Sequence, residues 1–116
     1  MSNEELISWY VDEDVLVVQV KVESFDARNS KEIRAMAEKV IGERKKVVLD
    51  LAAVEFMDSS GLGTLIPLVR SLSSRSGDLR LCGLQERVQM LFELTRLYRV
   101  FSIWPSAPDA VASFTA

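Results

Sequence analysis

VVLDLAAVEFMDSSGLG, residues 47–63, passes from an apolar run into two acids, two adjacent serines and two glycines. Val47, Val48, Leu49 and Leu51 are apolar on both faces of an extended chain, the pattern of a strand buried in a parallel sheet. Leu62, Leu65, Ile66, Val69 and Leu72 then recur at helical spacing and mark one face of an amphipathic helix. The stretch is therefore a strand-to-helix junction, and Met57-Asp58-Ser59-Ser60-Gly61 is its turn. Asp58 or Ser59 suits the N-cap of the helix, where a side-chain oxygen accepts from free backbone N–H groups. The glycines allow a tight turn and a close approach to the sheet. Pro67 falls inside the helical stripe and is expected to kink the helix by removing the bond to Gly63.

The same periodicities run outward in both directions. LISWYVDEDVLVVQVKV, residues 6–22, reads as a β-hairpin with Asp12-Glu13-Asp14 at its turn, and its second arm is apolar on both faces. VESFDARNS is a loop before a helix capped by Asn29 or Ser30, with Ile33, Met36, Ala37, Val40 and Ile41 on its buried stripe. DLRLCGL is a further strand, Val88, Leu91, Phe92 and Thr95 mark a third helix, and VFSIW is a short last strand. A final helix carries Pro108 in its first turn. Helices are expected at residues 30–43, 60–74, 85–96 and 107–114. The order β-β-α-β-α-β-α-β-α predicts one α/β domain over residues 1–116, with a mixed, mostly parallel sheet of five strands and four helices.

Composition removes several classes of function. The chain has 116 residues, 48% of them hydrophobic, with a net charge of −3 spread among interspersed acids and bases. That balance lacks the basic face that nucleic acid requires. Histidine is absent, which excludes imidazole bases, histidine triads and the commonest metal ligand. The single cysteine, Cys82, cannot form an internal disulfide or a multi-cysteine metal site, and its apolar setting predicts a buried structural thiol. The serine turn is neither a Walker loop nor a nucleophile elbow. An enzyme using Ser59 or Cys82 would need an activating base, and none is evident. No cofactor or metal is expected, and no catalytic residue. The polar opening MSNEELIS predicts no signal peptide, and no run reaches the roughly 20 apolar residues of a membrane span, so a cytoplasmic protein is expected.

In a parallel sheet, functional loops lie beyond the carboxyl ends of the strands. ESFDARN and EFMDSSG both meet that condition, so Asp26 and the pair Ser59-Ser60 should meet on one rim.

FMDSSGLG after the strand VVLDL, with FDARNS before the first helix and LRLCGLQERVQMLFELTRLYRVFSIWPS at the end, resembles the bacterial anti-sigma-factor antagonists. These are small members of the sulfate-transporter-and-anti-sigma-antagonist (STAS) domain family. The Gly-Glu-Leu-Asp-like run common in that family is here Glu23-Ser24-Phe25-Asp26. The resemblance implies a partner, an anti-sigma factor that is also a serine kinase, bound by the unmodified protein so that a sigma factor is freed. It implies phosphorylation on the first serine of the pair, Ser59, which ends binding, and a serine phosphatase that resets it. Asp26, Met57, Asp58, Ser59, Ser60 and Gly61 form the expected partner surface, with Met57 open between core and interface. The alternative is a phosphorylation-independent STAS adaptor subunit of a membrane transport or signalling complex. Oligomeric state is left open, although the first strand would offer a sheet edge.

Overall fold

The computed structural model describes residues 6–115; the opening residues 1–5, on which the no-leader expectation rests, lie outside it. Ile7–Asp12 (β1) and Val15–Val20 (β2) form the predicted hairpin, paired antiparallel from Ile7↔Val20 to Asp12↔Val15. Its two-residue turn places both Glu13 (φ 51°) and Asp14 (φ 67°) in left-handed backbone. That twist matches the flanking strands, which explains a tight turn without glycine. Ser24–Phe25 (β3) follows, then helix Ser30–Ile41 (α1) and strand Lys46–Asp50 (β4). Phe56–Met57 (β5) leads into helix Ser59–Ser73 (α2), strand Asp78–Cys82 (β6) and helix Glu86–Leu94 (α3). A 3-10 turn at Leu97–Arg99, strand Ser102–Trp104 (β7) and helix Ala107–Ser113 (α4) complete the chain.

The main sheet has the order β1-β2-β4-β6-β7, with every pair but the first parallel. Strands added stepwise in one direction by right-handed crossovers put their helices on one face. Leu16, Val18, Val20, Val47, Leu49, Leu79 and Leu81 point to that face and join α1, α2 and α3 in the larger core. The alternate positions Val15, Val17, Val48 and Cys82 point to the other face, where α4 lays Ala110 and Val111 on them. β2 is buried on both faces, as its two-sided apolar run predicts.

α2 runs without interruption from Ser59 to Ser73 with Pro67 inside it, so the proline does not end the helix. The missing bond is compensated by packing, since Leu65, Leu68 and Leu72 around the proline are buried. The third helix ends at Leu94, where Arg96 turns left-handed (φ 61°) and starts the 3-10 turn.

Candidate functional site

The two rim loops are joined by a second, very small sheet. Ser24 pairs with Phe56 and Phe25 with Met57 in parallel. The N–H groups of Glu55 and Phe56 both donate to the Glu23 carbonyl, at 2.8 and 3.0 Å. Strand alternation then sorts the side chains: Phe25 and Met57 turn inward, Ser24 and Phe56 outward. Met57 is 5% exposed and belongs to the core, which corrects its assignment to the partner surface. Its neighbour Phe56 is the exposed member of the pair, at 48%.

Asp58 locks this joint to α2. Its Oδ1 accepts from the N–H groups of Ser60 at 2.8 Å and Gly61 at 3.0 Å, which makes it the N-cap. Its Oδ2 faces the Ala27 N–H at 3.4 Å, on the other loop. Gly61 is a steric requirement of the same contact. A Cβ there would stand 2.3 Å from the Phe25 carbonyl oxygen and 3.0 Å from Met57 Cγ. The start of α2 therefore presses against β3, and the expected meeting of Asp26 with the serine pair on one rim follows from this joint.

Ser59, the first residue of α2, is exposed, and Ser60 is half-buried. Among the described residues no side chain or backbone group hydrogen-bonds the Ser59 hydroxyl. The Ser60 carbonyl accepts from Thr64 Oγ1 at 3.2 Å, inside the helix.

Asp26 differs from the exposed loop acid that the sequence suggests. The residue is 9% exposed and turned into its own loop. Its carboxylate accepts from Ser24 Oγ at 2.7 Å, from the Arg28 N–H at 3.0 Å and from Arg28 Nη2 at 2.7 Å. The Arg28 guanidinium first, and the Ser24 hydroxyl next, hold Asp26 well below the usual carboxylate range. Asn29 closes the loop, accepting from the Asp26 N–H at 3.1 Å and donating to the Ser24 carbonyl at 2.8 Å. It occupies the N-cap position of α1 without capping it through its side chain.

Sequence reasoning did not find the carboxylate pair Glu23–Glu55. The small ladder sets these two side chains together, and the bond and charge from Glu23 push Glu55 above its ordinary value. A two-residue strand has no periodicity to read, so the pairing had no signal in the sequence. Met90 and Leu94 of α3 are also exposed, at 52% and 78%, and α3 packs beside β5. Cys82 is buried as expected. Burial and the adjoining Asp50 carboxylate push its thiol up to about 12, far from a reactive thiolate. No helix among the described residues is long and apolar enough to cross a membrane.

Residues 7–110 match the STAS domain, and the chain belongs to the STAS domain family. An anti-sigma F factor antagonist of Paenibacillus polymyxa is 27% identical over 99 residues, covering 84% of each chain. The crystal structure of an anti-sigma factor antagonist from Mycobacterium paratuberculosis has a TM-score of 0.85 at 23% identity, covering 95% of this chain and 93% of that one. SpoIIAA, solved in its unphosphorylated and phosphorylated forms, gives TM-scores of 0.77 and 0.69 at 19% and 20% identity. Those alignments cover 94% and 93% of this chain, and 96% and 98% of SpoIIAA. The single α/β domain with a mixed five-stranded sheet is thus the architecture of the family.

Proposed function

We propose that this protein is an anti-sigma-factor antagonist whose partner is an anti-sigma factor with serine-kinase activity, and that phosphorylation of Ser59 ends the complex. A serine phosphatase restores binding. The observation that carries this reading is the exposed, unbonded Ser59 hydroxyl beside a fully engaged Asp58. The relatives' names and the solution of SpoIIAA in both phosphorylation states support it.

The electrostatics favour a switch. A phosphoserine carries about −1.5 to −2 charges at neutral pH. The start of a helix ordinarily receives such an anion. Here the N–H groups of Ser60 and Gly61 already bond Asp58, so a phosphate on Ser59 meets an occupied cap. Its charge stands toward the partner, beside Asp58. A loss of about 3 kcal/mol in the complex lowers affinity on the order of a hundredfold. The partner surface comprises Asp26, Asp58, Ser59 and Ser60, with Phe56 taking the place assigned to Met57 and Met90 and Leu94 extending it along α3, while Gly61, buried against β3, shapes that surface from beneath. A basic group of the partner reaching Asp26 has to displace Arg28, whose side chain is 79% exposed and, among the described residues, tethered only there.

The test is incubation with the cognate kinase and ATP, followed by mapping of the phosphate in wild type, Ser59→Ala and Ser60→Ala. Ser59→Ala should abolish modification, and Ser60→Ala should retain it. Phosphorylated wild type should bind the partner about a hundredfold more weakly. Modification of Ser59→Ala to the wild-type extent overturns the assignment. A partner that binds modified and unmodified protein equally favours the constitutive-adaptor reading.

A further inference from the structure

We propose that β1 is a dimerisation edge, pairing antiparallel with β1 of a second copy about a two-fold axis through Trp9. β1 is an outer strand of the main sheet, bonded on one side to β2. The Lys21 N–H donates to the Leu6 carbonyl at 2.7 Å, so Leu6 and Lys21 form a hydrogen-bonded pair. Antiparallel ladders alternate bonded and non-bonded pairs. In the observed register, Ser8, Tyr10 and Asp12 therefore spend their backbone groups on β2. The N–H and C=O groups of Ile7, Trp9 and Val11 face away from the sheet.

Sheet edges are ordinarily blunted by proline, lysine, a bulge or shortness. β7, the opposite edge, uses shortness, at three residues. β1 uses none of these. It has six residues, none of them Pro or Lys, in unbroken one-to-one register with β2. It also exposes three consecutive large side chains, Trp9 at 54%, Tyr10 at 40% and Val11 at 47%.

A second copy fits this edge by symmetry. A two-fold axis perpendicular to a sheet preserves its faces, so only residues of equal parity can lie opposite each other. Centred on Trp9, the pairing sets Trp9 against Trp9 and Ile7 against Val11 in both directions. Every outward N–H and C=O of Ile7, Trp9 and Val11 is then used. Centred one residue further, on Tyr10, the pairing keeps the Trp9–Val11 bonds but sets Ile7 against Glu13 in the hairpin turn and loses those of Ile7. Within the strand the one charged residue, Asp12, lies opposite Leu6. Aromatic and β-branched cross-strand pairs add to the ladder.

The test uses the whole chain at increasing concentration, in sedimentation velocity and in residue-resolved amide exchange. A concentration-dependent dimer is expected. The Ile7, Trp9 and Val11 amides should gain protection as it forms, while Ser8, Tyr10 and Asp12 stay as protected as in the monomer. Trp9→Lys sets two ammonium groups opposite each other, and Val11→Pro deletes an outward N–H without touching the β2 ladder. Each should weaken the dimer more than about tenfold, with an unchanged circular dichroism spectrum. Leu94→Lys, on the exposed side of α3, should leave it intact. If one variant fails to fold, the other and the alternating exchange pattern still decide. A chain that stays monomeric, as it would if the edge served a strand of some other protein, overturns the proposal. So does a dimer indifferent to Trp9→Lys and Val11→Pro. Neither outcome bears on Ser59.

Discussion

At the end of the sheet where α1 and α2 finish, one cation does the tying. Arg75 donates through Nη2 to the carbonyls of Gly42 and Arg44, at 2.9 and 3.0 Å, and through Nη1 to the Ser71 carbonyl at 3.0 Å. At the other end, where α1 and α2 begin, the tying groups are anions: Asp58 holds Ser60, Gly61 and Ala27, and Asp26 holds Ser24 and Arg28. Helix polarity dictates this division. Helix ends expose carbonyls, which a guanidinium satisfies, and helix starts expose N–H groups, which a carboxylate satisfies. Gly77 and Gly61 play matching parts, since a Cβ at Gly77 would meet the Lys45 carbonyl oxygen at 2.9 Å and one at Gly61 that of Phe25 at 2.3 Å. The difference lies in what remains over. The cationic rim spends its cation on loop and helix carbonyls, whereas the anionic rim leaves a serine hydroxyl and Phe56 outside.

The largest expected effect comes from Gly61→Ala. Its methyl group has backbone, not a flexible side chain, in its way. Forcing β3 from α2 should cost roughly 3 kcal/mol in urea denaturation, and should weaken partner binding because the two loops no longer share a surface. A variant with wild-type stability would mean that the loops are not held together by this contact, and the comparison would lose its structural half.

Arg75→Ala should rank second. Removing charge-assisted bonds to backbone carbonyls, partly open to solvent, should cost about 2 kcal/mol. The rate of Ser59 phosphorylation in the folded variant should not change. That pairing of effects sharpens the contrast between the rims: a stability loss with intact modification at one end, and both disturbed at the other. A slowed phosphorylation at temperatures where Arg75→Ala is fully folded would show that the ends are coupled through α2.

The same contrast explains what could be read from the sequence. Each main-sheet strand and each helix has a periodicity, and the apolar stripes place them in order. The rim was legible where topology alone decides it, because loops after β2 and β4 must emerge on one side. It was illegible where single side chains decide. Asp26 looks like a free loop acid until Arg28, two residues on, is seen folded back on it. Met57 and Phe56 both read as apolar flanks, and only pairing with Phe25 and Ser24 determines which one turns inward. Pro67 lies inside a helix that continues through it, so the proline marks no boundary.

The smallest effect tests the charge half of the comparison. Glu55 is raised by its bond to Glu23, by the charge of Glu23 and by partial desolvation, with Arg87 opposing. A carboxyl group with a raised folded-state pKa binds its proton more tightly in the native protein than in the unfolded chain. Stability is therefore greatest below the ordinary glutamate value and declines as pH rises from there through the raised value. Glu55→Gln removes that decline. Thermal unfolding should show the variant slightly more stable than wild type at neutral pH and equal to it in acid, where both carboxyl groups are protonated. Glu23→Gln should behave alike, and the double variant should gain no more than either single change, because the repulsion belongs to the pair. If Glu55→Gln matches wild type at every pH, solvent screens the acids of this rim from one another. The effect of a phosphate on Ser59 would then rest on its contact with the partner alone, without help from the charges around it.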